Sequence, residues 1–374
     1  MPSAANDTIS LFSGIGGLDL GARAAGLRVA IATDHDEEAL RILTAGLGTR
    51  TVGGPIEDLE PDDLLGRAGL DRDDVRYLIG GPPCTAFSHA GFWISDKRDG
   101  LDPAAGRIDD YLYFLKTLEP EAFVLENVPG LAFKTHRHVL DRFVFCARRA
   151  GYSVSSRIVS AADFGVAQAR RRLIVIGVRG GPRFDFDSLP VMPMRSASWA
   201  INTASSPAEV DEKLRGRYAE LLKIVPPGGN YLHFTAPRGW DPPEFKYRGR
   251  YWSFLLKLDP DAPSPTLPAQ RVTYNGPFHW KSRHLRLREI ARLQSFPDSF
   301  VLAEDVHGAR RHLGNAVPPL MAAIVLWRLR VHLGDVRPTD TPDFMTAASD
   351  PAATVEQVLS TLAGKSRTPV RKAA

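Results

Sequence analysis

The stretch TISLFSGIGGLDLGARAAGLRVAIATD, Thr8 to Asp34, decides the fold. A short apolar run, Thr8 to Phe12, leads into glycines at 14, 16 and 17; Leu18 to Ala25 then carries a helical pattern closed by Gly26, and a second apolar run, Arg28 to Thr33, ends at Asp34. Strand, glycine turn, helix, strand and acid in that order open a nucleotide-binding α/β sheet. Glycine lets the backbone turn tightly and approach a ligand, while the following helix N-terminus offers free N–H groups. The spacing falls short of the full G-x-G-x-x-G pattern, and a glycine turn by itself can be no more than a turn. Asp34, twenty residues past Gly14, adds what the turn lacks, because a carboxylate there can accept both hydroxyls of a ribose. The residues point to a cofactor that contains a nucleoside.

Outward from this unit the alternation continues. Strand patterns begin at Val75 (VRYLIG), Ala122 (AFVLEN), Ser153 (SVSSRIV) and Arg172 (RLIVIGV), with helical patterns at Arg107 (RIDDYLYFLKTL) and His138 (HVLDRFVFCARRA) between them. Such alternation predicts an α/β fold with a doubly wound, mostly parallel sheet covered by helices on both faces. After Gly180 proline, glycine and aromatics dominate, with one further helix expected between Ala208 and Ile224. The expected organisation is a cofactor-binding domain over 1–180, a small loop-rich second domain over 181–284, a return to the first domain over 285–334 on the helical patterns Leu285–Gln294 and Val317–Leu333, and a tail over 335–374 disordered in whole or part.

The 374 residues contain two cysteines, too few for a disulfide framework or a cysteine zinc site, so no metal is expected. No run of about 18 apolar residues suggests a membrane span, and MPSAANDTIS lacks the regions of a secretory signal. A cytoplasmic protein is expected. Residues 1–100 carry nine Lys/Arg against sixteen Asp/Glu, whereas 101–374 carry 38 against 27. This asymmetry suits a polyanion bound on one side, although chance segregation of surface charge produces the same numbers.

Cys84 follows VRYLIGGPP and is therefore expected at the carboxyl end of a strand, where open α/β sheets keep their active sites. Two prolines stiffen its approach and a diglycine admits a ligand, so Cys84 is a candidate nucleophile. Cys146, within an amphipathic helix pattern, is read as core. Glu126 ends a buried strand pattern, where a carboxylate is costly unless paired or used. In QARRR, Gln168 to Arg172, Arg170 and Arg172 alternate about Arg171 and share a face, an arrangement suited to a phosphate or a base carbonyl.

Six stretches in order, LFSGIGGLDLG, GGPPCTAFS, ENV, QARRR, RLREIARLQSFPD and GNAVPP, resemble the conserved blocks of the cytosine-C5 DNA methyltransferase family over residues 8–180 and 262–330. The resemblance implies a Rossmann-like catalytic domain, S-adenosylmethionine as methyl donor, and a target-recognition domain inserted between QARRR and RLREIARLQSFPD. Residues 181–285, with fourteen Lys/Arg and ten Asp/Glu, would be that insertion. The implied chemistry adds Cys84 to cytosine C6, with Glu126 bonded to N3 and the exocyclic amine, Arg172 on O2, and Arg170 on Glu126 or a phosphate. The base would be flipped out of the duplex, with Thr85 to Arg107 closing over it. By resemblance Phe12 meets the adenine, Gly14, Gly16, Gly17 and Leu18 the methionine side, Asp34 the ribose, and Asn315 and Val317 the methionine pocket; His35 and Ile56 count among the cofactor-binding residues, and Thr85, Ser88 and Gln168 would touch DNA.

Three positions depart from the family pattern: Ser10 stands where an acid is common, Asp34 replaces a longer Glu and is followed by His35 where an aromatic often stacks, and Pro55 stands where an Asp often reaches the adenine amine. Further expectations from the resemblance are double-stranded DNA as partner, a cognate restriction endonuclease acting separately, and a monomer. Competing readings are a tRNA cytosine methyltransferase, whose Cys-Phe-Thr signature is absent because no cysteine follows Cys146; a catalytically idle DNA-binding relative, which intact Cys84, Glu126 and Arg172 disfavour; and a nicotinamide or flavin oxidoreductase, which leaves PPC, ENV and QARRR unexplained.

Overall fold

Strand β1, Asp7–Leu11, is buried along its whole length as an interior strand of the sheet. The computed structural model describes residues 7–83, 106–204, 212–248, 251–303 and 305–363. After β1 come α1 (Gly17–Ala24), β2 (Arg28–Asp34), α2 (Glu37–Leu47), β3 (Thr51–Gly53), α3 (Pro61–Ala68), β4 (Val75–Gly80), α4 (Arg107–Leu118), β5 (Ala122–Asn127), α5 (Arg137–Arg149), β6 (Tyr152–Ser160), β7 (Gln168–Ala169) and β8 (Arg171–Arg179). Seven strands form one sheet in the order β3-β2-β1-β4-β5-β8-β6. The first five are parallel, and β8 runs antiparallel to both β5 and β6. The mostly parallel, doubly wound sheet expected from the sequence is the one observed.

Each face is covered by helices. On one face α4 turns Ile108, Tyr111, Phe114, Leu115 and Leu118 inward at helical spacing, against Leu78, Phe123 and Val175 of the sheet. The other is covered by α1 and by α10 (Pro319–His332), which is buried nearly all round, as its uniformly apolar sequence requires. Between them in sequence lie α6 (Ala197–Ile201), α7 (Ala219–Ile224), β9 (Ser264–Pro265), α8 (Leu287–Leu293) and α9 (Val306–Asn315). Leu214, Leu222, Val225, Tyr231, Phe234, Leu255 and Phe278 form a hydrophobic cluster distinct from those that pack on the sheet. No described helix is long and apolar enough to cross a membrane.

Three expectations are corrected. The helix expected from Ala208 is only Ala219–Ile224 where it is described: Gly216, at φ 93°, breaks the pattern, and residues 205–211 lie outside the described residues. The tail expected to be disordered in whole or part contains α11 (Asp343–Ser349) and α12 (Val355–Leu362), whose Phe344, Met345, Val355, Val358, Leu359 and Leu362 are buried in the same core as α10, while residues 364–374 lie outside the described residues. Arg292 reaches Glu356 at 3.0 Å, and Arg195 donates to the Pro351 carbonyl at 2.9 Å, fixing that segment to the rest. Cys146 is half-buried rather than core: Val139, Leu140, Phe143 and Ala147 form the inward stripe of α5, and Cys146 lies one step off it.

Candidate active site

The carboxyl ends of β1, β2, β4 and β5 converge on a cavity of about 400 Å³, lined among others by Phe12, Gly14, Leu18, Asp34, Pro83, Glu126, Arg170, Arg172, Asn315 and Val317. A second cavity of about 300 Å³ shares Phe12, Asp34, His35 and Pro83 with it and adds Pro55, Ile56, Glu57 and Arg107. Ligands of open α/β sheets bind here, where strand order reverses, between β1 and β4. Cys84, Thr85 and Ser88 lie outside the described residues, as do residues 85–105 of the expected closing loop; Pro83, the last described residue before them, lines both cavities.

Asp34 shapes the junction between the lobes. Its Oδ2 accepts the Gly14 N–H at 2.8 Å and its Oδ1 accepts the Asp36 N–H at 2.9 Å, so the carboxylate holds the glycine turn and the start of α2 while facing the cavity. The exposed His35 ring places Nδ1 3.1 Å from Asp34 Oδ1. Phe12 adopts φ 54°, uncommon for a residue with a Cβ, and so turns out of β1 into both lobes. Gly14, at φ 53°, has open space where a Cβ would stand. An acid between an apolar lobe of Phe12, Pro55 and Ile56 and a larger lobe rimmed by backbone suits a nucleoside with a polar extension.

Gly16 and Gly17 are among the predicted ligand residues that do not line a cavity. Gly16, at φ 84°, packs against Leu43, and a Cβ on Gly17 would stand 2.2 Å from the Val317 carbonyl oxygen. They shape the site through packing. Gln168 is fully buried in β7, where it pairs with Ser264, so it presents no surface to DNA. That expectation is corrected: the β7–β9 pairing encloses it.

Arg170 and Arg172, expected to share a face, both line the cavity. Arg172 places Nε 2.6 Å from Glu126 Oε1, both side chains nearly buried. Arg170, 1% exposed, donates from Nη2 to the Gly314 carbonyl at 2.8 Å, tying the arginine strand to the GNAVPP turn. Arg172, rather than Arg170, holds Glu126. Asn127 Nδ2 donates to the Pro82 carbonyl at 3.2 Å, fixing the diproline backbone beside Glu126, and a Cβ on Gly81 would approach Glu126 Oε2 to 3.0 Å. A carboxylate held by one guanidinium, beside a cavity, keeps lone pairs free for a second donor.

Several lining residues were not legible in the sequence. Arg311 and His312 on α9 reach back to α2, with Arg311 Nη1 3.0 Å from Asp36 Oδ2 and His312 Nε2 3.1 Å from Glu38 Oε2. Glu57 and Arg107 form an ion pair at the apolar lobe, with Arg107 Nη2 2.9 Å from Glu57 Oε1. Charge runs on helices gave no sign of these pairings, which depend on tertiary approach.

Behind the glycine turn Asp19 is fully buried, and neither carboxylate oxygen has a well-aligned partner. Desolvation pushes its carboxyl up to about 7 from an ordinary 3.8, with the nearby Ser10 hydroxyl offsetting a part. Between those two values the native state keeps a proton that the unfolded chain has lost, so stability is fullest below the lower value, falls as pH rises and levels off above the upper one. Asp19→Asn is expected to melt above the wild type at about pH 8, where the wild type carries an ionised buried carboxylate, and to differ little near pH 4. Thermal unfolding across that range checks this, and a variant that melts lower at pH 8 would contradict it.

Comparison with known proteins bears on this arrangement. The family model for C-5 cytosine-specific DNA methylase matches residues 6–330. The chain is 40% identical to the Type II methyltransferase M.SacI of Streptomyces achromogenes, over 89% of this chain and 95% of that protein. It is 31% identical to the Type II methyltransferase M.NgoFVII of Neisseria gonorrhoeae, over 83% of each. Among solved structures, a DNA modification methyltransferase encoded within an E. coli prophage superposes with a TM-score of 0.64, 22% identity, and coverage of 88% of this chain and 99% of that one, a likeness of fold. The chain thus belongs to the C-5 cytosine-specific DNA methylase family, as a DNA cytosine-5-methyltransferase that uses S-adenosylmethionine as methyl donor.

Proposed function

We propose that the protein methylates C5 of one cytosine turned out of a specific duplex DNA sequence, with Cys84 as nucleophile, as the modification half of a Type II restriction-modification pair whose endonuclease is a separate chain. The observation that carries the reading is the Glu126–Arg172 pair, 2.6 Å apart at the cavity that Pro83 also lines, one residue before Cys84. The names of the two curated relatives support the Type II setting.

In this reading Cys84 Sγ, as thiolate, bonds to C6 of the base, and the C5–C6 π pair moves to C5. Glu126, fixed by Arg172, bonds the N3 and exocyclic amine edge, where charge changes as the ring is attacked; Arg172 also serves O2. S-adenosylmethionine, which Phe12, Leu18, Asp34, Ile56, Asn315 and Val317 would hold, would supply the methyl group that bonds to the C5 electron pair, its sulfonium sulfur keeping the pair of the broken S–CH3 bond. The C5 proton then passes to water, the C5–H pair re-forms C5=C6, and the C6–S pair returns to Cys84, which departs as thiolate. A stacked cytosine cannot admit a thiolate to C6, so the base must leave the duplex at a cost of a few kcal/mol. Thr85 and Ser88 are assigned to DNA, and residues 181–284 to target recognition, supported by the separate core of Leu214 to Phe278.

The test is transfer of labelled methyl from S-adenosylmethionine to duplex DNA by the purified chain, with nucleoside digestion to locate it. Label in 5-methylcytosine is expected. Label only in N4-methylcytosine or N6-methyladenine, or none, would reject the proposal.

A further inference from the structure

Phe245 and Phe254, on either side of residues 249–250, which lie outside the described residues, both pack against the recognition-region core. The two rings meet edge to face at 5.6 Å, and Tyr231 lies 5.8 Å from one and 5.9 Å from the other. Residues on either side of 249–250 are tied to the same core: the Arg248 N–H donates to Tyr231 Oη at 2.8 Å, and Asn230 Nδ2 donates to the Trp252 carbonyl at 2.7 Å. On this mount Tyr247, Tyr251 and Trp252 are 63%, 45% and 51% exposed. Singly exposed aromatics are ordinary, but three within six residues, above an aromatic core that could have enclosed them, mark a surface for a partner.

Charge identifies the partner. Residues 245–258 contain four Lys/Arg and no Asp or Glu, and Lys246 and Arg248 alternate with the exposed rings. The Arg248 guanidinium stands 6.0 Å from the centre of the Tyr251 ring. Apolar rings interleaved with cations suit a ligand that offers phosphates and the apolar and polar edges of bases together, as duplex DNA does in its grooves. The same run continues through buried Leu255 and Leu258 to Ser264–Pro265, which pair with Gln168–Ala169 immediately before Arg170 and Arg172. The segment is thus mounted on the chain that abuts the arginine strand.

We infer that Lys246, Tyr247, Arg248, Tyr251 and Trp252 form a reading element of the enzyme for duplex DNA, its aromatic rings touching bases and its cations the phosphates. The inference rests on the DNA-cytosine methylation proposed above and adds the surface that selects the sequence.

The experiment uses the full chain on an unmethylated bacteriophage genome, with 5-methylcytosine positions read by bisulfite sequencing. The wild type should mark one consensus. The Tyr247→Ala and Trp252→Ala variants, altered at exposed positions, should lose about tenfold or more in kcat/KM and relax the consensus at one or more base pairs, with unchanged affinity for S-adenosylmethionine. Lys246→Ala should weaken binding to all sequences alike and reduce the salt slope of binding by about 1. A second readout is cross-linking of a duplex carrying 5-iodouracil, expected on the peptide that contains Tyr247 to Trp252. An unchanged consensus and kcat/KM in both aromatic variants, with cross-links elsewhere, would overturn the inference while leaving the methylation proposal standing. A wild type that marks no cytosine would overturn both.

Discussion

Replacing Cys84 by alanine is expected to reduce methyl transfer by at least about 10³-fold, ~4 kcal/mol or more of transition-state stabilisation, because the proposed mechanism gives Cys84 the bond to C6. Of the ionisable groups lining the cavity, Glu126 is paired with Arg172, Asp34 accepts the Gly14 and Asp36 N–H groups, Asp36 is paired with Arg311, and His312 meets Glu38. Without a bond to C6, C5 keeps its aromatic electron density and is a poor acceptor of an electrophilic methyl. Cys84→Ser is expected to retain DNA and cofactor binding, since the thiol is required for bond formation rather than docking. Single-turnover transfer measures the first variant and titration the second. Turnover by the alanine variant within about tenfold of wild type would remove Cys84 from the chemistry; equal loss of cofactor binding in the serine variant would make its role structural.

The part of the fold that local sequence governs was legible. Glycine spacing and alternating apolar runs were enough to place β1, β2, β4 and β5, and Asp34 sits where the Thr8–Asp34 pattern put it. The arginine roles were not legible because they depend on register. In the antiparallel pairing of β5 with β8, Glu126 faces Ile174, which puts Arg172, two residues on, on the same side of the sheet as Glu126. Arg170 lies beyond that pairing and meets the Gly314 turn instead. One-dimensional alternation gives the shared face but not which guanidinium meets the carboxylate. The last two helices were missed for another reason. Their Pro, Thr and Ala content resembles a linker, yet Thr354 and Gln357 form a capping box, and Val355, Val358, Leu359 and Leu362 recur at helical spacing. Composition concealed a periodic signal that was present.

The second large effect is expected at Gly17, read from the sequence as a ligand residue and found in a helix contact. Gly17 and Gly21 are one turn apart on α1, facing α10 and the turn before it. A Cβ on Gly17 would stand 2.2 Å from the Val317 carbonyl oxygen, and one on Gly21 2.4 Å from the Ala322 Cβ and 2.8 Å from the Ala323 nitrogen. These obstacles are mainly backbone, which cannot rotate away as a side-chain tip does, so α1 must separate from α10. Overpacking of this kind costs about 1–3 kcal/mol, and more where two elements must part. Gly17→Ala is therefore expected to lower the Tm of the ligand-free protein and to weaken S-adenosylmethionine binding as well, because displaced Val317 is itself part of the cavity wall. Gly14→Ala is the comparison. Its Cβ would enter open space at φ 53°, so it should incur the strain of that backbone without the collision. Thermal unfolding without cofactor, together with cofactor titration, separates the two causes. If Gly17→Ala leaves the ligand-free Tm unchanged and lowers affinity alone, Gly17 acts by contact with the cofactor and the packing account fails. A Tm loss larger than that of Gly14→Ala would place its function in the approach of the two helices, on which the shape of the methyl-donor cavity depends.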